Sequence, residues 1–449
     1  MYKRIIVVLV LASMLLASCS AAQTTAAPTT AATTAAVTEA AAATTEAAQP
    51  FAGVTLNMID SPEGQTDAMI ALENKCQTET GATLKVEVVP QDDVDTKMQT
   101  ALAAKSSAYD LIGLDIIDLA KYDAAGWLEP LDSYIDDATK SDILPFALEG
   151  ISYDGKILGL PWKAEYMVMV YNKKMLEDAG ITAAPATWDE LIQDSKTLKE
   201  KGIVDYPIAF TWGANYEQIT SDYTMMVKSM GGQLFDDSGK PVFNTGAGVQ
   251  ALQMMYDMIN TDKIVDPAAL TIKGGGTRRD IVMGGNAAFV FLWGNPLVTM
   301  NDPANTDLAG DFEVALAPDG GAGHISLAGP MGMSISAYSQ NKQAAWAMLK
   351  CIAGPEGEKD LFMKDGSPFG YTSVLNDPEV QAKMAENGGA VIAEQANSLA
   401  VRPSLPYYAD WSSALQDTVQ KVLTNQVPVQ QGLDDLAAKT LELQSEYSK

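Results

Sequence analysis

Three cysteines, one histidine and four arginines (Arg4, Arg278, Arg279, Arg402) are all that 449 residues contain of these types. So few thiols and imidazoles do not make a zinc site of the usual composition, and neither a metal nor a cofactor is expected. The scarcity of arginine, with a formal net charge of −27, excludes nucleic acid, whose binders present basic faces. Phosphate-rich partners fit badly for the same reason. Beyond the first 16 residues no apolar run approaches the ~20 residues that span a bilayer. What the chain has instead is acidity, which supplies solubility and carboxylates for hydroxyl-rich or cationic groups.

The amino terminus is a different matter. Lys3 and Arg4 precede an apolar run from Ile5 to Leu16, and small residues follow. Positive start, short apolar stretch and small residues make an export signal over residues 1–18. Leu16-Ala17-Ser18-Cys19 resembles a bacterial lipobox at every position. That resemblance implies a lipidated Cys19, and with it a membrane attachment on the extracytoplasmic face. Residues 19–50 are almost wholly Ala and Thr, with Val37 the one sizeable apolar side chain. Such a segment buries too little surface to offset the entropy of ordering. It reads as a tether with a root-mean-square reach of about 30 Å. Cys76 and Cys351 remain. Both fall in apolar helical patterns and read as buried thiols, and a disulfide between them stays open for an exported protein.

Residues 51–449 alternate strands and helices. Leu56–Ile59, Leu84–Val88 and Asp110–Leu114 read as strands. Asp67–Thr80 is a helix ended by Gly81, and Val94, Met98 and Leu102 mark one face of another. After Leu160-Pro161 a second series begins. It has strands at Met167–Tyr171, Pro207–Phe210, Ala287–Trp293 and Phe312–Ala317, with another inside Ile325–Ala337. Thr187-Trp188-Asp189-Glu190 is a capping box opening a helix to Lys201. Tyr407–Gln426 and Gln430–Tyr447 are helical. This order fits an α/β protein of two lobes joined more than once by the chain, each a mostly parallel sheet flanked by helices.

Several segments, in order, resemble the family 1 extracellular solute-binding proteins, sugar-capturing lipoproteins of ABC importers. They include Tyr109–Ile112, Ala125–Leu131, Asp154–Trp162, Tyr171–Lys174 and Pro185–Leu191. Gly231–Phe235, Gly284–Trp293 and Gly432–Leu436 complete the set. The resemblance implies a two-lobed, type II periplasmic-binding-protein-like fold hinged around a cleft that closes on its ligand. It divides the body into an N-terminal lobe (51–162 with about 313–374) and a C-terminal lobe (about 163–312 with 375–449). It also implies a carbohydrate ligand, an ABC permease partner, no catalysis and a monomer.

Sugar capture needs flat aromatic faces for pyranose C–H surfaces and carboxylates or amides for hydroxyls. Trp162 and Glu165 sit at the Pro161 crossover, where the family places an acidic cleft residue. Trp212, Asn215, Tyr216 and Glu217 follow the strand ending at Phe210. Trp293 and Asn295 close the next, matching a stacking aromatic of the family. Tyr407, Tyr408 and Trp411 lie where the family brings a late aromatic over the cleft, and Asp60 and Asp115 end the first and third strands. Trp188 and Trp346, inside helices, read as packing residues. Lys273-Gly274-Gly275-Gly276-Thr277-Arg278-Arg279 lacks the order of a P-loop and reads as a flexible loop entering a helix, and His324 as a loop histidine. Two alternatives stay open. The acidity suits a polyamine or other cationic solute, and a surface glycoside hydrolase would also combine acids with aromatics.

Overall fold

The computed structural model describes residues 49–447 apart from 63 and 387. The expected export signal, Cys19 and nearly all of the tether lie outside the described residues. Within them the first elements follow their sequence signals. Strand β1 (Thr55–Asp60) leads to the helix Asp67–Thr80, opened by Thr66, whose hydroxyl accepts from the Met69 amide. Gly81 ends that helix at φ 80°, a left-handed position that glycine takes without strain. Strand β2 (Thr83–Val88) pairs parallel with β1. After the helix Gln91–Ala103 comes the apolar β3 (Leu111–Asp115), and Asp110 N donates to Asn57 O at 2.8 Å.

A hairpin of β4 (Ser152–Tyr153) and β5 (Lys156–Ile157) precedes β6 (Leu160–Asn172), one strand of 13 residues. The sequence suggests only its second part, because Pro161 reads as a stop. Here Pro161 faces Gly332 next to a register shift in the ladder, where a missing N–H is tolerated. The remaining strands are β7 (Ile208–Ala209), β8 (Phe289–Trp293), β9 (Phe312–Ala315), β10 (Ser326–Ile335) and β11 (Leu399–Val401).

The pairing of β6 and β10 organises the molecule. Residues 160–166 of β6 pair with β10, whereas 167–171 pair with β8 and 169–172 with β9. Strand β10 in turn pairs with β11 at one end and β3 at the other. Each of the two strands therefore belongs to both lobes and carries the chain between them. They run in opposite directions, so the ladder between them is antiparallel, as are those of β3 with β10 and of β6 with β8 and β9; parallel pairing is found at β1/β2, β7/β8 and β10/β11. Strand β9 lies on the second-lobe part of β6, so the chain is still in that lobe at residue 315 and leaves it along β10.

Each lobe has a core of its own, and a third cluster, with Phe146 and Tyr371 beside Val170 and Phe312, spans both. The first gathers Leu56, Leu72, Leu111, Met333 and Met348, and the second Phe210, Trp212, Phe243, Met255 and Phe291. Trp188 is buried, its Nε1 donating to Ser229 Oγ at 2.9 Å, and Trp346 packs on Tyr134. Both are packing residues, as their helical positions suggest. The capping box forms: Glu190 N donates to Thr187 Oγ1 at 3.1 Å, and the Glu190 carboxylate reaches back to Ala186 N at 2.7 Å. The reading of two buried thiols is corrected. Cys76 and Cys351 are joined in a disulfide with a Cα separation of 5.7 Å, tying Asp67–Thr80 to Lys342–Ala353. Two helices packed face to face in one core bring together cysteines that lie 275 residues apart in the chain.

Candidate functional site

The carboxyl ends of β1 and β3 and the crossing strand β6 converge on one cavity of about 350 Å³. Asp60, Asp115, Trp162, Lys163 and Glu165 line it, together with Asp95 from the helix Gln91–Ala103 and Asp118 from Ile116–Ala124. A second cavity of about 440 Å³ shares Ile117 and Asp118 with the first. Its other wall comes from the second lobe, with Asn215, Glu217, Tyr407, Tyr408, Ser412 and Gln416. Hollows of about 510 and 940 Å³ occur elsewhere, but second-lobe residues alone line both. A hinged trap needs contacts from each side; the adjoining pair has them with polar walls, unlike a small apolar pocket around Leu144, Tyr166 and Phe369, so the pair is the candidate cleft.

Four expected residues meet in the first cavity. Asp60 is buried and accepts from Ser61 N at 2.8 Å and Gln65 Nε2 at 3.1 Å. Asp115 caps the helix that begins at Ile116, accepting from Ile117 N at 3.3 Å. Trp162 is 3% exposed, with the Lys163 ammonium 4.5 Å from its ring centroid. Lys163 holds φ 56°, an uncommon conformation for a side-chain-bearing residue and one that marks constrained backbone at the crossing. Burial raises the Glu165 carboxyl above its ordinary range; Lys163 opposes the shift and Asp115 adds to it.

On the other side, Glu217 is an acceptor for four side chains. Ser412 Oγ donates at 2.6 Å, Gln416 Nε2 and Arg402 Nη1 at 3.3 Å, and Tyr408 Oη also donates to it. Burial first and the Glu217 charge second push the Tyr408 hydroxyl well above the phenol range, which keeps it a donor. Arg402 is 5% exposed and donates through Nη2 to Asp115 Oδ1 at 3.0 Å. One guanidinium thus joins a carboxylate of each lobe. Trp293 stands beside it. A Cβ built on Gly329 would meet the Trp293 ring at 3.0 Å and Arg402 Nη2 at 3.3 Å. The indole is half-buried, donates to Gln218 Oε1 at 3.1 Å, and lines neither cavity.

The other expected residues are spread more widely. Asn215 is exposed at φ 56° on the rim of the second cavity, and Tyr216 lies against Gly275 of the glycine-rich loop. Tyr407 is mostly buried, its hydroxyl accepting from Gln444. Three expectations need correction. Trp212 is sealed in the second core, stacked on Phe210 and donating to Asp222 Oδ2 at 2.8 Å. Trp411 is fully buried among Phe235, Phe243 and Tyr408. Asn295 turns to an apolar pocket with Tyr166 and Phe369. In each case a strand-end or helix-start position says that an aromatic or amide is near the cleft, but not which way it faces. The glycine-rich loop also resolves: Arg278 is buried and paired with Asp222 at 2.7 Å, so it offers no charge to a phosphate.

Sequence reasoning passed over Asp95, Asp118, Lys163 and Arg402. Asp118 is the most perturbed of them. Burial, then the neighbouring Asp95 and Asp115, push its carboxyl up to about 7 against the opposing Lys121 and Arg402. Only the scarcity of arginine singles out Arg402 in advance.

Two lobes joined by crossing strands, with a polar cleft walled from both, define a hinged solute receptor. The chain belongs to the bacterial extracellular solute-binding protein family, whose model matches residues 60–359, and such proteins work outside the cytoplasm. It is 27% identical to a probable ABC transporter-binding protein of Deinococcus radiodurans, over 77% of this chain and 83% of that one. It is 29% identical to the maltotriose-binding protein of Pyrococcus abyssi, over 66% and 62% of the two chains. The ribitol-bound solute-binding protein of Agrobacterium radiobacter superposes with a TM-score of 0.75 at 27% identity, covering 88% of this chain and all of that one.

Proposed function

We propose that this protein captures a carbohydrate, a mono- or oligosaccharide or a related polyol, between its lobes and hands it unchanged to an ABC permease. The observation that carries the reading is the wall chemistry: carboxylates of Asp60, Asp115, Asp118 and Glu165 converge beside the Trp162 ring in one cavity. Carboxyl groups pair with hydroxyls as acceptors, and as donors where burial favours the protonated form, as at Asp118 and Glu165, and an aromatic face suits a sugar ring. The relatives named for maltotriose and ribitol agree with it. Cys19 would hold the receptor at the membrane through lipid, with the 19–50 segment as tether and the body acting as a monomer. In this reading the first lobe comprises residues 51–162 and about 331–374 and the second about 163–330 and 375–449; the pairing of β9 with residues 169–172 of β6 supports a boundary later than 313.

A thermal-shift screen against neutral sugars and polyols tests the function, because ligand above its dissociation constant raises the midpoint. Capture at micromolar strength corresponds to about −8 kcal/mol. A panel without a single stabilising sugar or polyol overturns the reading. Glu165→Gln is expected to weaken binding while the fold survives; unchanged affinity by calorimetry would remove Glu165 from the ligand set. A second reading, a cationic solute, is favoured by the five carboxylates, Asp95 included, gathered at one cavity. Spermidine-type amines in the same screen separate the two. No hydrolytic product is expected from any bound oligosaccharide.

A further inference from the structure

Asp115 and Glu217 differ in what they have left to offer a solute. Both Glu217 oxygens are engaged, Oε1 by Arg402 and Tyr408 and Oε2 by Ser412 and Gln416. At Asp115 both bonds fall on one oxygen, Oδ1, from Arg402 Nη2 at 3.0 Å and Ile117 N at 3.3 Å. Asp115 lines the first cavity and Glu217 the second. Arg402, just after β11, lies between them with its side chain 6% exposed, while its two partners are about one-third exposed.

We propose that Arg402 is a cross-lobe clasp and a positioning residue for solute binding: Glu217 anchors it, and it turns Asp115 so that Oδ2 faces the solute. Glu217 is therefore an anchor and Asp115 the ligand acceptor, although their sequence settings, at the ends of strands, look alike. The geometry supports the direction of this assignment. The planar guanidinium reaches two carboxylates at once through separate nitrogens, which lysine, a point charge, does not reproduce. A guanidinium so buried keeps a fixed orientation as long as both partners stay in place. The Trp293 ring and Arg402 Nη2 both lie against Gly329, where a Cβ would meet them at 3.0 and 3.3 Å, so the guanidinium has no side chain at 329 to displace it. A clasp that bridges the lobes also biases them toward one another before any solute arrives, which lowers the cost of closure.

The ligand-binding half of this inference rests on the carbohydrate reading; the clasp does not. Small-angle scattering of the solute-free protein is the first arm. Arg402→Met and Arg402→Lys are each expected to increase the radius of gyration over wild type, and identical curves overturn the clasp. The second arm uses the sugar or polyol selected by the thermal-shift screen. Asp115→Asn and Glu217→Gln, conservative changes at positions about one-third exposed, are each expected to weaken affinity about tenfold, and the double variant to lose little more than either alone. Additive losses, which independent ligand contacts would give, overturn the positioning role. Affinities that fall only in step with the melting midpoint overturn it too, as a structural role alone would do that. If no carbohydrate binds wild-type protein, the proposed function fails, while the scattering arm still decides the clasp.

Discussion

The substitution Asp118→Asn should remove the pH dependence of stability that this carboxyl imposes. In the folded protein the Asp118 carboxyl titrates at about 7, raised first by burial and then by Asp95 and Asp115. In the unfolded chain it titrates near the ordinary value of ~3.9. The native state therefore holds the proton through a window in which the unfolded state has released it. Stability falls as pH rises between those values. About three units at ~1.4 kcal/mol each give a penalty of about 4 kcal/mol above pH 7, absent below pH 4. The amide of the variant does not ionise and escapes it. For a body of this size the entropy of unfolding makes that about 5 °C in melting midpoint. The assay is thermal unfolding of both proteins from pH 4.5 to 8.5. Their midpoints should converge at the acid end, and the variant should lead by several degrees at pH 8. Asp95 and Glu165 also sit above their ordinary range, chiefly through burial, but they are common to both proteins and drop out of the difference. Parallel curves would refute the reasoning, as would a variant less stable than wild type at pH 8.

Trp212→Ala should cost at least about 4 kcal/mol in denaturant unfolding, because it opens a cavity and removes a donor from buried Asp222. A loss under about 1 kcal/mol, the range of surface changes, would return Trp212 to the cleft. Removing the disulfide with Cys76→Ser and Cys351→Ser should lower stability by roughly 5 kcal/mol, as expected from chain entropy for a loop of 275 residues. Equal midpoints for wild-type protein with and without reductant would contradict it. Arg402→Met should destabilise by about 3 kcal/mol, since it strands two partly buried carboxylates, and urea unfolding measures it.

Much of the local architecture is written in short-range signals. The Thr187–Glu190 box, Gly81 at a helix end and the apolar β3 act within four residues of themselves, so they can be located from sequence alone. The reach of β6 is not such a signal. Its 13 residues hold together because two different lobes pair with its two ends, and Pro161 alone argues for a break. The site divides in the same way. Asp60, Asp115, Trp162 and Glu165 sit where strand ends and the crossover bring them, and the cavity collects them. Trp411 is decided by Phe235 and Phe243, some 170 residues earlier in the chain, and no local pattern carries that. Asp118 reads as an ordinary helical surface acid until the helix Gln91–Ala103 brings Asp95 beside it. Arg402 takes its role from partners 287 and 185 residues away.

The Cys76–Cys351 bond has a consequence in time. A chain made amino end first presents Cys76 early and must wait 275 residues for its partner. By then strands β6 to β9 have already emerged, and the second lobe has most of what it needs. The first lobe is thus sealed only after most of the second lobe's chain has been made, while the second still waits for its helices Tyr408–Leu423 and Val429–Tyr447. In the interval the helix Asp67–Thr80 lacks the helix that covers one of its faces, and Cys76 lacks its partner.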